Sequence, residues 1–130
     1  MVPDGVEVIV GAINDPGFGP VIALGMGGIF TETLDDVTYG IAPFGRAEAL
    51  RMINGLRARK VFDGLRGRTA RDVDALVDTL VRVSGLAWQL RDRLVEMDIN
   101  PLLVRARGQG VVAADAVLSL RDGAPHETRR

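Results

Sequence analysis

Glu96-Met97-Asp98-Ile99-Asn100-Pro101-Leu102-Leu103-Val104 is the stretch on which the reading of this chain turns. Side chains alternate between the two faces of a strand, so Glu96 and Asp98 share one side. Met97, Ile99 and, past the turn, Leu102 and Val104 can face a core. Pro101 has no N–H to donate, so Asn100-Pro101 interrupts regular pairing. After Arg107-Gly108-Gln109-Gly110, the run Val111-Val112-Ala113-Ala114-Asp115 reads as a second strand. An antiparallel hairpin would return Asp115 to the neighbourhood of Asn100. A carboxylate and an amide oxygen converging at a strand end form a hard-oxygen site, of the kind Mg²⁺ takes up with water and phosphate oxygens. An ordinary edge hairpin with solvated acids has the same pattern, and spacing alone does not separate the two.

Toward the N-terminus, Val6-Glu7-Val8-Ile9-Val10-Gly11-Ala12-Ile13 is rich in β-branched residues and predicts a strand. Asn14-Asp15-Pro16-Gly17-Phe18-Gly19 is dense turn chemistry, and Pro20 to Gly25 is a second apolar strand, so the two should pair as a hairpin. Glu7 is the odd residue, an acid opening an apolar strand; an exposed strand start would explain it equally. Gly25-Met26-Gly27-Gly28 follows directly. Consecutive glycines let backbone N–H groups approach an anion closely, and a tight turn without a ligand needs the same residues. No amphipathic helix follows and the later glycine is missing, so this is a poor dinucleotide fingerprint.

Asp35 to Pro43 reads as a turn and a strand. Apolar residues at 49, 50, 53 and 56 predict a helix over Arg46 to Leu56. The Arg- and Gly-rich run from Arg57 to Arg68 predicts a solvated connection that buries Val61 and Phe62. A long helix is expected from Thr69, with Asp72 completing a capping box. Val73, Leu76, Val77, Leu80 and Val81 mark its apolar face, which slips near Ser84-Gly85. Asp72, Asp74 and Asp78 should face water near its start. Trp88 is expected in the core or at an interface.

With 130 residues, 47% apolar and 5% aromatic, the chain suits one domain with an aliphatic core. A net charge of −1 without a basic block gives no nucleic-acid face. No cysteine is present, which excludes disulfides and thiol catalysis. The one histidine, His126, lies in the polar tail 121–130, expected to be disordered. Met1 to Gly5 shows no signal region. The apolar run from Val21 to Phe30 is too short to span a bilayer, so no membrane association and a cytoplasmic location are the expectation.

Glu-x-Asp-Ile-Asn-Pro-Leu, with an Asp 15 residues after the Asn, resembles the metal-binding end of an ATP-grasp domain. The resemblance is to the C-terminal half of that domain in the NDP-forming acyl-CoA synthetases, the group of acetate–CoA ligase (ADP-forming) and succinyl-CoA synthetase beta. Gly5-Val6-Glu7-Val8-Ile9-Val10-Gly11 and the run from Phe18-Gly19-Pro20 to Gly27-Gly28-Ile29-Phe30 carry it as well. The resemblance implies that Asn100 and Asp115 bind Mg²⁺ and that Glu7 contacts ATP or ADP. It also implies that Gly27 and Gly28 lie beside the transferring phosphoryl group, and that Asp98 and Glu32 guide a phospho-His. The family usually has Glu where Asp98 stands. It commonly has Lys or Arg where Gly40 stands, the nearest cation here being Arg46, and this departure bears on phosphoryl transfer.

The implied fold is α+β, the second half of an ATP-grasp domain over residues 1–120. It would be a mostly antiparallel sheet of about five strands, with a long and a shorter helix packed on one face and the nucleotide on the other. The family's first half carries a phosphate-binding Lys and the adenine hinge, and Lys60, the sole lysine, is misplaced for that role. The missing N-terminal half of the domain and a CoA-binding, phospho-His domain or subunit are therefore the expected partners. The implied reaction is acid + CoA + ATP to acyl-CoA + ADP + phosphate, which this portion alone should not complete. Two alternatives stay open: a non-catalytic remnant serving assembly or regulation, and the synthetase-like module of a protein acetyltransferase.

Overall fold

The computed structural model describes residues 5–27, 36–64 and 69–122. In chain order its elements are β1 (Val6–Asp15), β2 (Gly19–Met26), β3 (Val37–Ile41), α1 (Arg46–Asn54), a 3₁₀ turn (Arg59–Asp63), α2 (Val73–Gln89), β4 (Leu94–Val104), β5 (Val111–Ala113) and β6 (Ala116–Leu120). The strands run β3-β2-β1-β4-β5, with β6 also paired to β4, and every pair is antiparallel. This is the expected α+β architecture, with six described strands where about five were predicted.

The additional strand comes from the Asn100-Pro101 step. The register of β4 on β1 slips between Val8 and Val10, so that Val8 faces Leu102 and Val10 faces Ile99. On its other edge β4 pairs with β6 along Leu94–Ile99 and with β5 along Leu102–Val104. Pro101 offers no N–H to a ladder, and an extra residue on one strand leaves pairing locally unmade. The chain therefore changes partner there, and Asp115, predicted inside the second strand, falls at the joint between β5 and β6.

Alternation sorts the sheet's faces. Val8, Val10 and Ala12 of β1 and Ile22 and Leu24 of β2 point into the core, where they meet Met52 and Ile53 of α1 and Leu76 and Leu80 of α2. Phe62, from the 3₁₀ turn, is 1% exposed. The opposite face is left open, with Ile13, Tyr39 and Ile41 exposed on it.

Three local expectations change. Leu50 is exposed, because Ala49, Met52 and Ile53 form the stripe of α1. α2 starts at Val73, since Arg71 is still bridged to Ala106 and Asp72 itself caps the helix, its carboxylate accepting from Ala75 N–H at 3.1 Å. Asp72 is consequently buried, whereas Asp74 and Asp78 are exposed and pair with Arg46. The slip in the apolar stripe is Ser84, fully buried, whose hydroxyl donates to Val81 O at 2.9 Å and accepts from Phe44 N–H at 3.2 Å. A buried hydroxyl with partners on both sides carries no desolvation penalty. Trp88 lies partly exposed near the end of α2, with the Arg91 guanidinium 4.2 Å from its ring centroid.

Candidate functional site

The N-terminal end of β1 and the C-terminal end of β2 meet where Glu7 and Gly27 lie. Gly27 N–H donates to Glu7 O at 2.9 Å. A Cβ at Gly27 would stand 3.2 Å from both Glu7 Cβ and Glu7 O, so glycine is what lets the two backbones come this close. Glu7 is half-buried and in register with Leu103 of β4.

Asp98 occupies the middle of β4, opposite Gly11 on one side and Val117 on the other. Its carboxylate leans over Gly11, where an added Cβ would lie 3.7 Å from Oδ1. With Glu96, Ile13, Val21, Ala23 and Tyr39 these residues line a recess of about 320 Å³ on the open face. The expectation that Glu96 and Asp98 share a face is met, and Gly11 and Ala23 leave room between them and β2.

Asn100 and Asp115 are brought together through the backbone: Asn100 N–H donates to Asp115 O at 3.0 Å. Both residues are exposed, and Asp115 Oδ1 accepts from Ala116 N–H at 2.9 Å. Among the described residues no group of three or more His, Cys, Asp or Glu is placed to hold a metal ion. The pair therefore supplies two hard oxygen donors and no closed cage. Such a set fits Mg²⁺, which is held by one or two carboxylates and takes its remaining ligands from water and phosphate. It does not fit a structural zinc site, which needs Cys or His. Gly28 and Glu32, also predicted for the site, lie outside the described residues.

Gly40 faces the helices. It is in register with buried Ile22, and a Cβ there would meet Met52 Sδ at 2.7 Å and the Phe44 ring at 3.0 Å. Its neighbours Tyr39 and Ile41 take the exposed side. A cation does reach this strand from α1: Arg51 donates to Tyr39 O at 2.7 Å and to both carboxylate oxygens of Glu48. The Arg51 hydrogen bond holds the Glu48 carboxyl below its ordinary value.

The burial of two carboxylates, Asp36 and Asp72, was not expected from the sequence. Asp36 accepts from Arg57 N–H at 2.6 Å and Ala58 N–H at 2.9 Å, tying the start of β3 to the turn between α1 and the 3₁₀ turn. Asp72 accepts from Gly108 and Gly110 as well as from Ala75. Burial alone would raise its pKa. The three N–H donors, Gly110 foremost, and the Arg107 charge outweigh that and set it below the ordinary value. An acid just ahead of an apolar helical run is a legible cap; its second role has no local signal.

A family model described as the ATP-grasp domain matches residues 1–120. The acetate–CoA ligase [ADP-forming] II subunit beta of Pyrococcus furiosus is 43% identical over 121 residues, 93% of this chain and 51% of that subunit. Acetate–CoA ligase [ADP-forming] I of Archaeoglobus fulgidus is 45% identical over 118 residues, 91% of this chain and 17% of that protein. Among solved structures, the dinucleotide forming acetyl-coenzyme A synthetase 1 of Ca. Korarchaeum cryptofilum superposes with a TM-score of 0.84 at 36% identity, covering 93% of this chain and 55% of that one. That structure holds coenzyme A and Mg-AMPPCP, with its phosphohistidine segment pointing towards the nucleotide-binding site. The chain thus spans about half the length of the Pyrococcus subunit and less than a fifth of the Archaeoglobus ligase.

Proposed function

The chain belongs to the ATP-grasp domain family, and on that premise we propose that it is the Mg-nucleotide-binding portion of an NDP-forming acyl-CoA synthetase. The reaction is acid + CoA + ATP to acyl-CoA + ADP + phosphate, through a phospho-His on a partner domain. Residues 1–120 are the C-terminal half of the grasp. The other half of the domain and a CoA-binding, phospho-His domain or subunit complete the enzyme in the cytoplasm. Among the described residues no helix is long and apolar enough to cross a membrane.

The observation that carries this reading is the meeting of Asn100 with Asp115 at a strand joint, in a chain whose relatives are synthetases of this type. Asn100 and Asp115 are the residues that would hold Mg²⁺. When bound, Mg²⁺ neutralises phosphate charge and templates phosphoryl transfer. Glu7 positions the nucleotide, and Gly27 and Gly28 line its phosphates. Asp98 and Glu32 orient the incoming phospho-His, with the Asp98 carboxylate held over Gly11 on the open face. The exposed Ile13, Tyr39 and Ile41 on the same face fit contact with the other half of the domain.

Calorimetric titration of Mg·ADP into the chain, alone and with the upstream half supplied, tests the proposal against an Asp115→Ala control. Binding that the substitution abolishes is the expected result. Binding that survives it would remove Asp115 from the site. No binding even with both halves present would favour a non-catalytic assembly or regulatory domain.

A further inference from the structure

The buried carboxylate of Asp72 joins two segments that the proposed chemistry does not touch. Oδ1 accepts from Ala75 N–H and caps α2. Oδ2 accepts from two N–H groups in the turn between β4 and β5, Gly108 at 3.0 Å and Gly110 at 2.8 Å. Both glycines have positive φ, +86° and +81°, which another residue type would adopt only with strain. Backbone bonds flank this grip: Asp72 N–H donates to Arg105 O at 2.8 Å, and Arg107 N–H to Ala70 O at 2.9 Å.

What the grip steadies is a weak element. β5 has three residues, two of them exposed, and an isolated hairpin of that size has little stability of its own. The chain leaving β5 is tied back at Ala114, whose N–H donates to Pro101 O at 2.9 Å, and at Asp115, whose carbonyl accepts from Asn100. We infer that Asp72 is the positioning residue of the Asn100–Asp115 pair: its Oδ2 holds the hairpin turn, and the hairpin holds Asp115 in register with Asn100. The functional meaning of this coupling rests on reading that pair as the Mg-nucleotide site; the coupling itself does not.

Two substitutions separate clamping from capping. Asp72→Asn keeps one acceptor oxygen for the helix but sets an NH₂ donor in place of the other. Asp72→Ser caps the helix with its hydroxyl and is too short to hold the turn. Amide exchange of the full chain, followed by NMR, should show Gly108 and Gly110 exchanging about tenfold faster or more in both variants. Asn100 should be released with them, while the β1–β2 ladder keeps its protection. Asn100 remaining protected while the two glycines are released would overturn the coupling, and so would the glycines remaining protected. With the upstream half present, Mg·ADP affinity should fall about tenfold in both variants, as for other supports of a metal ligand. Unchanged affinity with Asn100 released would overturn the positioning role. If the unsubstituted protein binds no Mg·ADP, the nucleotide reading fails, and the exchange measurement still decides the coupling.

Discussion

The backbone N–H of Asn100 donates to the carbonyl of Asp115 at 3.0 Å, so main chain, not their own side chains, joins the two predicted metal ligands. Both side chains are exposed, and exposed side chains contribute little to stability. Asn100→Ala and Asp115→Ala should therefore abolish Mg·ADP binding while changing unfolding free energy by no more than about 0.5 kcal/mol. Calorimetry paired with urea unfolding checks both halves. A large loss of stability would mean that the side chains hold the joint after all.

Gly27→Ala should be costly although it adds one methyl. The new Cβ would stand 3.2 Å from Glu7 Cβ and from Glu7 O, a carbonyl that already accepts from Gly27 N–H. Backbone cannot move aside as a flexible side chain can, so a loss of about 1–3 kcal/mol is expected. Urea unfolding gives the number, and a cost near zero would show that the β1 and β2 ends are free to part.

Placing a basic residue at position 40 should destabilise the protein. The incoming Cβ meets Met52 Sδ at 2.7 Å and the Phe44 ring at 3.0 Å. Met52 is flexible and will yield in part, so Gly40→Arg is expected to cost about 1–2 kcal/mol. Met52→Ala in the same chain should recover some of the difference. If Gly40→Arg proves neutral and strengthens Mg·ADP binding, the side chain has found a route around β3 to the open face.

Asp72 makes stability depend on acid pH. Its folded-state pKa lies below the ordinary carboxylate value, because N–H donors and Arg107 outweigh burial. A depressed pKa contributes stability that is fully present above the unfolded value, about 4, and is lost as pH falls through the folded value. The gap in unfolding free energy between the unsubstituted chain and Asp72→Asn should be widest at neutral pH and narrow below about pH 4. A gap of constant size down to pH 2 would assign the effect to packing.

Much of this fold is legible in short windows. Alternating β-branched residues mark β1 and β2, the turn chemistry at Asn14 to Gly19 pairs them, and apolar spacing marks α1 and α2. The approach of Asp115 to Asn100 is legible for the same reason: a hairpin's register follows from its turn, a few residues away. Boundaries set by distant contacts were less so, as with Thr69, which the bridge from Arg71 to Ala106 keeps out of α2.

The split between a helix-covered face and an open one was implied by the family resemblance; the residue pattern by itself determined β1 to β5, α1, α2, the pairing of β1 with β2 as a hairpin, and the nearness of Asn100 to Asp115. Those features depend on side-chain period and on turns, which act over a few residues. Only the tertiary structure decided that Gly40 faces Met52, that Asp36 and Asp72 are buried, and that β4 trades β6 for β5 at Pro101. Each of these depends on what a distant segment presents. Asp72 and Gly110 are 38 residues apart in the chain, and a carboxylate cannot be read as a clamp until the backbone it grips has been folded against it.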